Sequence, residues 1–485
     1  MNAYLVRTSL CCLLLHAVAG AQTASKISVQ EGRDNEISIA VLPQIHIDYG
    51  LSYPMTYTLT MPSGSADLTA YHKFSAAQEW DLIPAKTAGD FFNGIEAVRF
   101  DYANSLVYLS VAFASESDSI YIKIANTAGQ NVPLGFEGLS RYYDNRDAAV
   151  TVTADDWHQY FDQQFLYALS IFRKHNLWVA TAIVTEWCDA QTWQHIQTQL
   201  DSGNVEAMAH GRNHLYAPYP DPAYEVTGAK TDIIENLTLP GLFRNGEREY
   251  VYVWVAPYGQ YDDQIDALVS ANQYLVSRLV YFDERGFSFW EEEKKKYAPV
   301  GVTREMGPLW GGSNNLGDLN RAFDTAVATG GIYHVMCHPH VLADGEWSKP
   351  YTREHLNYIS NRKNLWYVSM GHLYLYHFLQ DEAANPVSVT ATLGLPPKGF
   401  QLSQNYPNPF NPATRIDFVL EQAGETSLKI YNLAGQLVQT VFESAQRIPG
   451  TYSFEIDMSS FTSGVYVYIL EQEGQRLSAK MMLVR

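Results

Sequence analysis

Between about Ile37 and Ile124 the apolar residues alternate with polar ones or run together in short blocks, as in ISIAV, MTYTLT, LVYLSVAF and IYIKI. Clusters of Gly, Ser, Asp and Asn separate these blocks, so the pattern predicts strands, and no helix-period segment of comparable strength intervenes. A β-sandwich-like domain over 22–147 follows from it. At Ala148 the rhythm changes. AAVTVTA reads as a strand, Phe161, Phe165, Leu166, Leu169 and Phe172 share one helical face, and LWVATAIVT is the next strand. The alternation repeats through TWQHIQTQL, VEAMAH, KTDIIENL, YVYVWVAP, DQIDALVSA, YLVSRLVY, LNRAFDTAVA and IYHVMCHPH. Strands alternating with helices imply a parallel sheet, and this many favour a distorted (β/α) barrel over 148–382.

A small-residue, proline-bearing stretch at 383–399 reads as a linker, and 400–485 as a small all-β sandwich with a hairpin turn near Ala434-Gly435. The expected fold class is therefore multidomain, α/β plus all-β. At the other end, Arg7, the apolar run Leu10–Val18 and the small residues Ala19-Gly20-Ala21 predict a cleaved secretory signal over 1–21. No other apolar run reaches transmembrane length.

Composition narrows the partners. The 485 residues are 46% hydrophobic and 18% charged, as globular chains are, but the net charge is −19. An acidic surface disfavours nucleic acid and anionic membrane, which basic patches bind, and leaves glycans open. Of four cysteines, Cys11 and Cys12 leave with the signal; Cys188 and Cys337 remain, as one disulfide or as two buried thiols.

The candidate chemistry falls at strand ends, where a parallel α/β barrel gathers its reactive groups. Asp155 and Asp156 follow VTVTA, His210 and His214 follow VEAMA, Pro257-Tyr258-Gly259 follows YVYVWVA, and His338 ends IYHVMC. One carboxylate with two imidazoles suits a borderline divalent ion, zinc first, and a second carboxylate beside it suits a general base. A histidine on the far wall would protonate a leaving group. His334 and His340 compete with His338 for that part, because alternation puts all three on one strand face. Trp157, Trp254, Trp310 and Trp347 are candidates to stack on sugar rings, with burial the commoner fate of tryptophan.

The middle region, roughly Ala148 to Gln380, resembles the polysaccharide deacetylase family, carbohydrate esterase family 4. The matching segments are Thr153-Ala154-Asp155-Asp156, His210-Gly211-Arg212-Asn213-His214, Pro257-Tyr258-Gly259 and Val335-Met336-Cys337-His338. The resemblance implies that Asp155 is the base, that Asp156, His210 and His214 bind the metal, and that His338 is the acid. It also implies that Pro257, Tyr258 and Gly259 hold substrate, with the Tyr258 amide at the oxyanion; Trp310 is a further substrate candidate. The family's arginine before the third motif is Val255 here, so either another cation such as Arg212 orients Asp155 or Asp155 is less well tuned. In the same way Asn405-Tyr406-Pro407-Asn408-Pro409-Phe410-Asn411-Pro412, Tyr431 to Gly435, Ser463 to Tyr466 and Lys480-Met481 resemble the type IX secretion sorting domain. That implies export through the type IX machinery to the medium or outer surface of a Gram-negative bacterium. The combined expectation is a secreted, metal-dependent deacetylase of an acetylated polysaccharide. A non-catalytic glycan-binding protein on a degenerate scaffold, or a hydrolase of a small amide, are the alternatives.

Overall fold

The structure is a computed structural model. It describes residues 26–383 and 400–484, without 51–54, 76, 88–95, 114, 116–118, 284–285, 310–311, 406–407, 421–423, 434, 448–449, 460 and 473. The expected signal segment, nearly all of the expected linker, and Trp310 lie outside the described residues. Two compact units divide the chain at Val389 and Thr390. The architecture is mixed α/β, with one parallel sheet and several antiparallel ones.

The first unit opens with two five-stranded sheets. One orders Ile27–Glu31, Ile37–Val41, Ser119–Ala125, Thr69–Lys73 and Asp81–Leu82; the other orders Gly135–Leu139, Met55–Thr60, Leu106–Val111, Ala97–Asp101 and Ala85–Lys86. The strands read from ISIAV, MTYTLT, LVYLSVAF and IYIKI all form, but a short helix, Pro43–Tyr49, also appears where no helix is predicted. Its last turn abuts the following region: Tyr250 and Tyr252 donate their hydroxyls to the Ile47 and Tyr49 carbonyls, each at 2.6 Å. One apolar core runs from Ile27 through Leu379.

Nine parallel strands follow: β1 (Ala148–Trp157), β2 (Val179–Ile183), β3 (Val205–Ala209), β4 (Val253–Val255), β5 (Val276–Phe282), β6 (Val300–Val302), β7 (Arg304–Met306), β8 (Ile332–Cys337) and β9 (Leu365–Tyr367). Their order is β6-β5-β4-β3-β2-β1-β8-β7, with β9 paired to the start of β1. The two ends of that order, β6 and β7, are consecutive in the chain, with Thr303 between them. Strand β1 is buried from Ala148 to Asp155, as expected for a strand covered on both faces. The helix Asp162–Lys174 covers it with Phe165, Leu169 and Phe172, three of the five residues of the predicted face. Because every strand runs the same way, all carboxyl ends meet at one edge, where α/β sheets bind ligands. No helix among the described residues is long and apolar enough to cross a membrane.

The second unit builds two antiparallel sheets, of three and four strands, around Phe410, Ile416, Phe418, Leu428, Ile430, Tyr468 and Leu470. The predicted hairpin is there: Gly424–Asn432 pairs with Leu437–Arg447, and Gly435 takes the turn at φ 77°.

The sheet's amino-terminal edge carries a buried carboxyl. Glu206 Oε2 accepts the Gly371 amide at 2.9 Å, and a Cβ at residue 371 would collide with Glu206 Oε1 and Tyr252. Burial pushes Glu206 up to about 7, against the opposing pull of the Gly371 amide. The folded state therefore holds this proton more tightly than the unfolded chain. Its contribution to stability is fully present below the ordinary carboxyl pKa and is lost as pH rises through about 7. The expected outcome is a denaturation midpoint that declines between about pH 5 and 8 in the native protein, with a flatter profile in Glu206→Gln. Equal slopes in the two proteins would refute it.

Candidate active site

Strand β1 breaks its register where the aspartates lie. Ala154 faces Thr181 on β2, but Trp157 faces Ile183, so three steps on one strand match two on the other. In an unbroken strand adjacent side chains point to opposite faces. The extra residue, with Asp156 at φ 74°, re-aims them, and both carboxylates line one cavity of about 710 Å³ at the carboxyl edge.

Into this cavity the loop after β3 brings His210 and His214. It is a bend with φ of 78° at Gly211 and 51° at His214, and not the helical turn that the i, i+4 spacing also suits. A buried carboxylate shapes it. Glu225 Oε2 accepts the Arg212 and Asn213 amides at 2.8 and 2.9 Å, and Oε1 accepts the Asn213 side chain at 3.0 Å. Asp156, His210 and His214 thereby place one donor atom each within 4.8 Å of one another.

The donor set fits a cation. His210 gives its Nδ1 proton to the Val255 carbonyl at 2.9 Å, which leaves a lone pair on Nε2. That Nε2 and the Nε2 of His214 each stand 3.2 Å from Asp156 Oδ1, yet this buried oxygen accepts no hydrogen bond. Burial lowers the His210 pKa, which disfavours an imidazolium as the missing positive charge. Lone pairs converging on an unprotonated oxygen are repulsive unless a positive ion sits among them, and an N/N/O set matches a borderline divalent metal.

Asp155 has a different partner. The guanidinium of Arg278, on β5, forms a buried ion pair with Asp155 Oδ1, and its Nη1 lies 2.9 Å from the Met336 sulfur. Burial pushes Asp155 up, but Arg278, with His210 and His338, brings the net shift down. Arg278 pairs in register with Val255, so the cation comes from the strand beside the position where the family's arginine would stand. Arg212, the expected substitute, instead binds Asp232 through Nε at 2.8 Å and Nη2 at 2.5 Å. That expectation is corrected: Arg212 is spent bracing the histidine loop.

His338 follows β8 across the cavity, with Nε2 3.9 Å from Asp156 Oδ2. Its Nδ1 is 3.1 Å from Glu305 Oε1 on neighbouring β7, so an Nδ1 proton is held there and Nε2 faces the cavity. Burial lowers His338, but Glu305 and the two aspartates outweigh it and raise the pKa above the ordinary value. Its rivals separate: His334 lies outside the cavity lining, at 3.0 Å from Thr153 and pushed down to about 3 chiefly by burial, whereas His340 lines the cavity, stacked on Phe161 at 3.9 Å.

Tyr258 forms part of the wall at φ 56°, with Pro257 buried and Gly259 at φ 68° completing the turn. Trp157, Trp254 and Trp347 are buried and outside the lining, so they take the commoner fate of tryptophan and not the sugar contact for which they were candidates: Trp157 packs on Phe165 at 5.0 Å. Trp310 lies outside the described residues. Cys188 and Cys337 are free thiols. Sequence reading missed Arg278, Glu305 and Glu225. The strand YLVSRLVY signalled the first, since a charge inside an apolar run needs a buried partner.

No curated protein matches the chain. Solved structures similar to it include a protein from Mycobacterium smegmatis assigned as a polysaccharide deacetylase, with 13% identity, 51% of this chain and 96% of that one covered, and a TM-score of 0.38. A family 4 acetyl xylan esterase from Clostridium thermocellum with a cobalt ion matches at 13% identity over 50% and 99%, TM-score 0.31. A family 4 pseudoenzyme from Bacillus anthracis matches at 10% over 47% and 65%, TM-score 0.28. All three scores fall below 0.5, so the chemistry rests on the site's own geometry. Residues 404–484 match the secretion system C-terminal sorting domain, which marks the protein for secretion or the outer cell surface.

Proposed function

We propose that the protein is a secreted, metal-dependent hydrolase that removes N- or O-linked acetyl groups from a polysaccharide. The observation that carries this reading is the convergence of Asp156, His210 and His214 on one point, beside Asp155 and opposite His338. The reading includes a distorted (β/α) barrel over 148–382, whose sheet ends β6 and β7 are consecutive, flanked by β-sandwich-like domains over 22–147 and 400–485. A signal at 1–21 and a linker at 383–399 complete it.

Asp156, His210 and His214 would hold the divalent ion, zinc first among candidates. When bound, such an ion supplies Lewis acidity toward the acyl carbonyl and the attacking water. Asp155, kept ionised by Arg278, takes a proton from that water as its oxygen bonds to the carbonyl carbon. The Tyr258 amide donates to the oxyanion of the tetrahedral intermediate. Nε2 of His338, oriented by Glu305, gives its proton to the departing amine or alcohol as the C–N or C–O bond breaks, and acetate remains. The binding-only alternative drew on Val255; a cation on Asp155 from the adjacent strand weighs for catalysis.

Elemental analysis with an acetate-release assay on acetylated glycans tests the reading. Chelation should abolish release and metal should restore it, while Asp155→Asn should lower kcat by about 10² or more. Full activity of the metal-stripped protein would overturn the proposal.

The pH profile follows from the two shifts. Rate requires ionised Asp155 and protonated His338, so it falls on the acid side only below the ordinary carboxylate range and on the alkaline side above the ordinary imidazole pKa. Arg278→Met should move the acid limb to higher pH. It should also cost roughly 3–5 kcal/mol of stability by stranding a buried carboxylate. Arg278→Met with Asp155→Asn should recover most of that loss in chemical denaturation, and additive losses would exclude the pair as the cause.

A further inference from the structure

The register break that re-aims the two aspartates is closed by a tryptophan. Trp157 is fully buried at the end of β1. Its backbone is held from the β2 side: it pairs with Ile183, and the Val184 amide donates to its carbonyl at 3.0 Å. Its side chain is held from the helix Asp162–Lys174. The indole lies nearly parallel to Phe165, with the ring planes 10° apart, and its Nε1 donates to Asp162 Oδ1 at 3.1 Å.

Asp162 continues the connection away from the cavity. Its carboxylate is buried, and Oδ2 accepts the Gln163 side-chain amide at 3.2 Å and stands 2.6 Å from Nδ1 of His195. An ionised carboxylate only accepts, so the proton between them belongs to Nδ1. His195 sits on the helix Ala190–Asp201 with 26% of its side chain exposed. Trp157, Asp162 and His195 all lie outside the cavity lining.

Packing alone does not call for this arrangement. A hydrocarbon at residue 162 would meet the indole without a carboxylate to desolvate, and such replacements of buried polar pairs are often neutral or stabilising. What a hydrogen bond adds to an apolar contact is direction, so the indole is fixed in rotation as well as in place. The residue immediately before it is Asp156, at φ 74°, an angle that a residue with a side chain keeps only where its surroundings over-determine it. Ala154 is held on Thr181 behind it, and Trp157 is held ahead of it through both backbone and indole. Between those two anchors the peptides flanking Asp156 have no freedom to turn, and Oδ1 stays 3.2 Å from each of the His210 and His214 Nε2 atoms.

The geometry points to Asp162 as a positioning residue for the cation site: backed by His195, it locks the Trp157 indole and thereby holds the Asp156 carboxylate where it meets the two imidazoles. The inference rests on the metal reading above and deepens it, adding a determinant of ion affinity that touches neither ion nor substrate.

Zn²⁺ binding to the full chain, measured by competition with a chromophoric chelator, tests it, with chemical denaturation of the metal-free protein as the control for folding. Asp162→Ala should raise the Zn²⁺ dissociation constant by about tenfold or more, as loss of a supporting partner behind a metal ligand does. Trp157→Phe keeps an aromatic ring and removes the N–H, and should raise it as well. Asp162→Asn keeps an oxygen able to accept from the indole and should recover most of the loss. His195→Ala, at a partly exposed position, should weaken binding by less than Asp162→Ala. Native affinity in Asp162→Ala together with a lowered denaturation midpoint would make the residue merely structural and overturn the inference, as would equal affinities in the Ala and Asn variants. If Asp162→Ala does not fold, native affinity in both Trp157→Phe and His195→Ala overturns it equally. A native protein that binds no Zn²⁺ overturns the metal reading and this inference with it, whereas native binding with unaffected variants overturns the positioning role alone.

Discussion

Two carboxylates on adjacent residues, both turned into one cleft, repel each other. Like unit charges about 4 Å apart at an effective dielectric of about 20 repel by roughly 4 kcal/mol. The site is arranged around offsetting that repulsion. Arg278 faces Asp155 from β5, and the imidazoles of His210 and His214 face Asp156 from the loop after β3. The partners differ as the proposed reaction would require: a base at Asp155 would have to stay free to accept a proton, and its cation is a fixed side chain. Asp156 is aimed at a point where lone pairs meet, and only an added positive ion relieves them. The register break in β1 therefore decides the chemistry, since an unbroken strand would send one carboxylate to the opposite face.

What the sequence made legible is what a strand end announces by itself. Asp155, His210 and His338 each sit directly after a strand-like run, with Asp156 and His214 close behind, and local pattern suffices to place them at the carboxyl edge. Arg278 and Glu305 are different. Each acts on a residue of another strand, Arg278 beside Val255 on β4 and Glu305 beside Met336 on β8. Which strands become neighbours depends on sheet order, and sheet order is a tertiary property. The cation on Asp155 thus comes from the strand next to β4, in register with Val255, a placement that no linear motif records. The loop conformation of His210–His214 was hidden for a similar reason, since its amides answer to Glu225 on the helix Pro222–Asn236.

The aromatic residues show the same division. Trp157 and Trp254 lie in or at the ends of strands covered on both faces, so their large rings fill the core, although their proximity to motifs suggested ligand contact. The rings that do face the cavity are mostly tyrosine and phenylalanine on connecting segments and at the frayed end of β5, where exposure is set by loop path. Residue type pointed to burial for the indoles, and only their place beside motifs raised the other reading. Burial of an indole is worth more than its display, unless a hydrogen-bond partner for the N–H is found in solvent or ligand.

Three site residues, Asp156, His214 and Tyr258, hold left-handed backbone angles that side-chain-bearing residues adopt at a cost of about 1–3 kcal/mol each. Such strain persists only where surrounding structure over-determines it. Here the restraints are identifiable: the β1–β2 register on either side of Asp156, the Glu225 carboxylate on the loop before His214, and the Tyr216 stack on Tyr258. Relaxing any one toward ordinary angles would swing a carboxylate, an imidazole or an amide out of the shared cleft. The strain is therefore the counterpart of convergence, and the parallel sheet beneath supplies the rigidity that sustains it. Each restraint also comes from an element outside the motif it holds, which ties local conformation at the mouth to the packing of the whole α/β core.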